Sequence, residues 1–145
     1  MTLDSLDFTN NDRIPVRFTC DGENLSPNLI IEGVPAEAES LVLIVTDPDA
    51  PLGVWTHWLV WNISPKRSEF EQGVVPDQAI ESVSSSGSQG YQGPCPPNGV
   101  HHYVFKLHAL DIELDLDGQA QREEVLTEMY GHVLEEAELK GVYSR

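Results

Sequence analysis

The sequence predicts a mostly β domain, a β-sandwich with one amphipathic helix near the C-terminus. Short strand-like runs alternate with turn residues over the first 110 residues, a pattern typical of sandwiches built from short strands. Apolar residues then recur at helical spacing over residues 121–139. No repeat or low-complexity linker divides the chain, so residues 1–145 are expected to form one domain.

The strand predictions rest on alternation and on β-branched residues. Ser40–Thr46 is a continuous run of β-branched residues and leucine, which favours a buried central strand. The other predicted strands are Ile14–Thr19, Leu29–Ile31, Thr56–Ile63 and Val100–Leu110. Pro15 suggests a sheet edge for the first of them, because proline cannot donate to a strand ladder. Alternation puts His57, Leu59 and Trp61 on one face of a strand, and His101, Tyr103, Phe105, Leu107 and Ala109 on one face of another.

The helix is predicted over Gln121–Leu139. Its apolar stripe comprises Val125, Leu126, Met129, Tyr130, Val133, Leu134 and Ala137. Asp117 is the expected N-cap and Gly141 the expected C-terminal stop. Residues 111–140 carry ten acidic and two basic side chains, most of which should coat the solvent face of this helix.

The charge of the chain excludes several classes of partner. Twenty-four acidic residues against eight basic ones give a net charge of −16. Such a surface repels nucleic acid and anionic lipid headgroups. An acid-rich surface with only three lysines suits a salty cytoplasm, and it equally suits ordinary solubility.

The termini and cysteines bear on location. The first 13 residues have neither a basic nor an apolar signal-peptide region, and no run reaches the ~18 apolar residues of a membrane span. We therefore expect a cytoplasmic protein without membrane insertion. In that reducing compartment Cys20 and Cys95 are expected to be thiols, and their spacing matches no zinc motif.

Three segments carry residues suited to chemistry. Asp47–Pro51 (DPDAP) follows the predicted buried strand, Trp55–Trp58 (WTHW) begins another, and Gly93–Pro97 (GPCPP) leads into His101–Tyr103 (HHY). Each alone has a structural explanation: an Asx turn, a core histidine, a rigid proline-rich loop. Gly93–Pro97 lies near the end of a long aperiodic loop, Ser82–Gly99. Loops of this length tend to be functional or disordered.

In this order and spacing, the three segments resemble the phosphatidylethanolamine-binding protein family, most closely its prokaryotic branch of Raf-kinase-inhibitor-like proteins. The resemblance covers nearly the whole chain. Further matching segments are Phe18–Gly22, Asn24, Ser26–Pro27, Asn62–Ile63, Gly90–Tyr91, Ala109–Asp111, Gly131–His132 and Gly141–Tyr143.

The resemblance implies two packed antiparallel sheets with a Greek-key-like chain path and a C-terminal helix. It also implies a small pocket at one end of the sandwich that accepts phosphate, acetate or a phospholipid's phosphoryl headgroup. By position, the pocket residues are Asp47, Asp49, His57, His101 and Tyr103, with Pro94 and its neighbours as a wall and with Gly90 and Tyr91 near the mouth.

Such a pocket needs positive or proton-donating groups, because carboxylates repel phosphate. We expect His57 and His101 to donate to the anion, since an opposite charge raises the pKa of a histidine. Asp47 would orient a histidine or accept a ligand proton, and Asp49 would either face the pocket or brace the loop. The family usually has arginine where this chain has His102; alternation puts His102 opposite His101, so we expect a changed brace for the acidic loop.

These residues predict a non-enzymatic binding protein for a small phosphorylated or carboxylated ligand, without a cofactor. The resemblance adds an inhibitor-like role towards a kinase or protease partner, and a homodimer. The main alternative is a hydrolytic or metal-dependent enzyme that uses the His and Asp cluster. Against it, the chain lacks a G-x-S-x-G nucleophile motif, and the prolines around Cys95 favour a structural cysteine.

Overall fold

Two antiparallel sheets make up most of this computed structural model, which describes every residue from Met1 to Arg145. The strands are β1 (Thr2–Asp4), β2 (Leu29–Glu32), β3 (Ser40–Asp47), β4 (Trp55–Ile63), β5 (Glu69–Phe70), β6 (Ile80–Glu81), β7 (His101–Leu110) and β8 (Val133–Tyr143). A short 3₁₀ helix spans Val16–Phe18, and the one α-helix, α1, spans Arg122–Met129. No helix is both long and apolar enough to cross a membrane.

The main core lies between the two sheets. The smaller sheet has the order β1-β2-β5 and the larger one β6-β4-β3-β7-β8. Leu29 and Phe70 from the first sheet pack with Leu43, Trp58 and Phe105 from the second. The prediction of a mostly β, two-sheet protein is confirmed, as is the buried strand β3; the Greek-key chain path stays a prediction.

A second apolar cluster covers the outer face of the larger sheet. Val42, Ile44, Leu59 and Trp61 point to this side and are covered by residues 114–129, which include α1. β3 and β4 are therefore buried on both faces, which explains why Ser40–Thr46 reads as an uninterrupted apolar run.

Two predicted elements are wrong. Ile14–Thr19 is not a strand: it contains the 3₁₀ helix, and only Ile14 and its neighbours follow the edge of β8, where the Ile14 amide donates to the Val142 carbonyl at 2.8 Å. The predicted C-terminal helix begins correctly but ends at Met129, and its N-cap is Gln121, not Asp117.

The last seven residues of the predicted helix, Val133–Leu139, belong to β8 instead, because pairing with β7 outweighs helix propensity. Ten residues of β7 pair with β8, and from Ala137 every second residue of β8 enters the core as far as Tyr143. Gly131, at φ 83°, turns the chain out of the helix. Of the predicted apolar stripe, Tyr130 is 88% exposed, so it belongs to no core.

Gly141, predicted as a helix stop, instead lies within β8 where only glycine fits. A Cβ at this position would overlap Ile14 Cγ1, and Ile14 is fully buried. We expect Gly141→Ala to lower the free energy of unfolding by roughly 1–3 kcal/mol, measured by urea denaturation. Gly118→Ala is the control, because its nearest neighbour would lie at 3.5 Å; equal stability of both variants would contradict the packing described.

Candidate functional site

A pocket of about 360 Å³ opens at the end of the sandwich where β3 finishes and β4 and β7 begin. Its strand residues are Asp47, Trp55, His57, His101 and Tyr103, and one wall is formed by Gln92, Gly93 and Cys95–Pro97. Antiparallel pairing brings these strand ends together although they are up to 56 residues apart in sequence. The volume lies in the range of small-ligand sites, roughly 300–1,000 Å³.

Asp47 and His101 form a buried pair in this pocket. His101 Nδ1 lies 2.6 Å from Asp47 Oδ2, and the two residues are only 6% and 4% exposed. The other carboxylate oxygen, Oδ1, accepts the Asp49 backbone amide at 2.8 Å. Asp47 therefore holds the His101 ring through Nδ1, and Nε2 is the nitrogen that remains for a ligand.

His57 reaches the pocket through a β-bulge. Val45 pairs with Trp58 and Thr46 with Thr56, so His57 is the extra residue of β4. The prediction that His57 shares a face with Leu59 and Trp61 is therefore wrong: those two enter the outer apolar cluster, whereas His57 lines the pocket.

The polar contacts and the burial of His57 determine which nitrogen of its ring carries a proton and in which direction its pKa is shifted. Its Nδ1 donates to the Gln92 carbonyl at 2.5 Å, because a carbonyl can only accept. Burial holds the pKa of His57 below its ordinary value, and the charge of His101 acts in the same direction, against the opposing effects of the Gln92 carbonyl and Asp47. Burial therefore favours the neutral ring.

Tyr103 lies between the two histidines. Its ring packs edge-on against His57, with centroids 5.3 Å apart, and stacks at 6.5 Å with His101. Burial and the charge of Asp47 raise its pKa, so the hydroxyl keeps its proton. That hydroxyl is buried and makes no hydrogen bond within the protein. The backbone amide of Cys95 lowers the pKa of Tyr103, but this effect is smaller than those that raise it.

Asp49 lies outside the pocket lining and braces the acidic loop. Its Oδ2 accepts from both the backbone amide and Nδ1 of His102, at 2.8 and 2.7 Å. These hydrogen bonds lower the pKa of Asp49. Of the two roles expected for Asp49, the structure places it in the brace, with His102 as its partner on the face opposite His101.

The other predicted pocket residues, Gly90, Tyr91 and Pro94, do not line the pocket. The Tyr91 hydroxyl donates to the Phe18 carbonyl at 2.7 Å, and its ring packs edge-on against Trp58. Gly90 lies next to Glu81. Pro94 does not line the pocket itself, although its neighbours Gly93, Cys95 and Pro96 do.

A disulfide also borders the pocket, and the expectation of free thiols is wrong in this structure. Cys20 and Cys95 are bonded to each other, and both line the pocket. Gln92 and Asn24 also line the pocket and were not predicted to do so from the sequence, although Asn24 is among the segments that match the family. No group of three or more His, Cys, Asp or Glu side chains converges anywhere in the chain as metal ligands would.

Gly93 lets the pocket wall approach the Phe18–Asn24 segment. A Cβ at Gly93 would overlap the Phe18 carbonyl oxygen and Asn24 Oδ1 and would lie 2.9 Å from Thr19 Cα. We expect Gly93→Ala to cost roughly 1–3 kcal/mol of stability, because the wall must move away from the Phe18–Asn24 segment. Chemical denaturation measures this change; a variant with wild-type stability would contradict this close packing.

A two-sheet β protein with a small pocket at the strand ends has the architecture of a small-ligand-binding site. The model of the phosphatidylethanolamine-binding protein family matches residues 4–144. A UPF0098 protein from Methanothermobacter thermautotrophicus is 52% identical, with 100% of this chain and 99% of that protein aligned.

Two solved structures of this family are similar to the chain over nearly its whole length. A phosphatidylethanolamine-binding protein homologue from Chlamydia trachomatis superposes with a TM-score of 0.95 at 40% identity, over 99% of this chain and 97% of that one. YbcL from E. coli, described as a member of the mammalian family, gives a TM-score of 0.93 at 28% identity, over 99% and 98%. The chain belongs to the phosphatidylethanolamine-binding protein family, whose members are generally small-ligand-binding proteins without enzymatic activity.

Proposed function

We propose that the pocket binds a small anionic group, phosphoryl or carboxylate, through His57, His101 and Tyr103. One observation carries the proposal: a tyrosine hydroxyl and two imidazoles, which donate from Nε2 when protonated, surround one pocket, and none of them uses this polar atom within the protein. His57 and His101 each engage Nδ1 with a protein acceptor, which leaves Nε2. The Tyr103 hydroxyl is buried without a partner, a costly arrangement that a ligand would relieve.

The electrostatics of the site fit an anion despite the net charge of −16. Asp47 is engaged with His101 and the Asp49 amide, so both of its oxygens already accept hydrogen bonds. An anion at Nε2 of His57 would draw a proton onto that ring, because an opposite charge raises the pKa that burial has lowered. Ligand binding is thereby coupled to proton uptake.

The enzymatic alternative is less well supported. A histidine oriented by an aspartate is half of a nucleophile-activating arrangement, but Cys95, the candidate nucleophile, is held in a disulfide and has no thiol. The kinase or protease partner, the homodimer and the cytoplasmic location stay predictions.

Isothermal titration calorimetry with sulfate tests the proposal, because sulfate stays fully ionised near neutral pH. We expect saturable binding at millimolar concentrations or below, and weaker saturable binding of acetate. A variant with both His57→Gln and His101→Gln should lose the signal, whereas His102→Gln should keep it, since His102 lies outside the pocket. Absence of saturable heat in the wild type, or equal binding by the double variant, would overturn the proposed function.

A further inference from the structure

The Cys20–Cys95 disulfide fastens the pocket wall to the rest of the protein. Cys95 lies in the wall that precedes β7, and Cys20 follows the 3₁₀ helix, 75 residues earlier. Both residues line the pocket and both are exposed to solvent. Exposed disulfides are the ones that exchange readily with soluble thiols and serve regulatory roles.

Hydrogen bonds attach only the first half of the stretch Tyr91–Val100, which contains this wall, to other segments. The Tyr91 hydroxyl bonds the Phe18 carbonyl, the Gly93 amide bonds Asn24 Oδ1, and the Pro94 carbonyl accepts the Cys20 amide. From Cys95 to Val100, no backbone hydrogen bond joins the chain to any other segment. Apart from packing of the buried Pro96, the disulfide is the attachment of this second half.

The loosely attached half leads directly into the binding groups. Cys95, Pro96 and Pro97 form the wall, and His101 follows after three more residues. With the disulfide intact, the wall is ordered before a ligand arrives. Once it is broken, the ligand must order the wall on binding, and that ordering opposes affinity.

We propose that Cys20–Cys95 is a redox site that sets the anion affinity of the pocket, high when oxidised and lower when reduced. The inference rests on the proposed function of the same pocket. A dithiol is the reductant: one of its thiolates attacks a disulfide sulfur and releases the other cysteine. Its second thiolate then attacks its own sulfur in the mixed disulfide and releases the second cysteine, so two electrons and two protons pass to Cys20 and Cys95, and the dithiol leaves as a disulfide.

We expect reduction to loosen only the part of the chain near Cys95 and to leave the fold intact. The hydrogen bonds of the Tyr91 hydroxyl and of the Gly93 and Cys20 amides do not involve the sulfur atoms. The backbone amides of Asn98, Gly99 and Val100 should gain mobility in ¹⁵N relaxation measurements after reduction. The amide of Gly93 is the internal control, since Asn24 holds it in either state.

The test compares sulfate affinity in the oxidised protein, in the protein reduced with dithiothreitol, and in a Cys20→Ala, Cys95→Ala double variant. We expect reduction and the double substitution each to weaken sulfate binding about 3- to 30-fold, and reoxidation to restore it. Dithiothreitol should not change the double variant, which controls for effects of the reagent.

The outcomes separate the two proposals. Sulfate binding that is equal in oxidised, reduced and double-variant protein would overturn the redox inference and leave the proposed function standing. No saturable binding in the oxidised protein would overturn both. Global unfolding on reduction, seen as loss of amide dispersion, would also overturn the inference, because the disulfide would then stabilise the whole fold and not the pocket wall.

Discussion

Substituting His101 by glutamine is expected to weaken sulfate binding about 10- to 100-fold at pH 6, because a charge-assisted hydrogen bond contributes roughly 1.5–3 kcal/mol. The glutamine amide can still donate to Asp47 Oδ2, the acceptor that His101 Nδ1 uses at 2.6 Å, so the buried carboxylate keeps a partner. The side chain can no longer carry a proton towards the ligand. Calorimetric titration measures the change.

His102→Gln is the matched control for this prediction. It removes an imidazole one residue away whose Nδ1 bonds Asp49 outside the pocket. Sulfate affinity should stay within about threefold of the wild type, since loss of a partly exposed pair changes little. Equal losses in the His101 and His102 variants would show that general charge, and not the pocket geometry, determines affinity.

Sulfate affinity should rise as the pH falls, through protonation of His57. Burial lowers the pKa of this ring in the free protein, and a bound anion raises it, so the bound state holds more protons between the two pKa values. Affinity therefore increases towards acid within that window, by up to about tenfold per pH unit for one proton. Below the pKa of the free protein this contribution levels off, because the ring is already protonated.

Titrations of the wild type and of His57→Gln from pH 5 to pH 8 isolate this contribution. Asp47, His101 and Tyr103 face the same pocket, so the difference between the two profiles, and not the wild-type slope alone, reports on His57. The variant should lose the part of the slope that belongs to His57. Parallel profiles would mean that His57 takes up no proton when sulfate binds.

Part of the fold followed directly from local sequence patterns. β3 is recognisable because both of its faces are buried, and β7 because alternation from His101 to Ala109 matches the core face that the structure shows. β8 was not recognisable, because its leucine, glutamate and alanine residues favour a helix and only its pairing with β7 makes it a strand.

The candidate site was predictable by resemblance but not by periodicity. Asp47, His57, His101 and Tyr103 do meet in one pocket, yet strict alternation would have sent His57 to the outer face of β4. The bulge that redirects it depends on how β3 and β4 pair. The disulfide was equally hidden, because residues 75 positions apart carry no local sign that the fold brings them together.

The proposed function depends most directly on binding of an anion at Nε2 of both His57 and His101. Long-range ¹H–¹⁵N spectra of the histidine side chains, recorded during a sulfate titration at pH 6.5, measure this at the atoms concerned. We expect saturable shifts of both Nε2 signals with one common dissociation constant, movement of His57 towards its protonated form, and no change at His102 or His132. Saturable sulfate binding that leaves the His57 and His101 signals unmoved would contradict the proposed function.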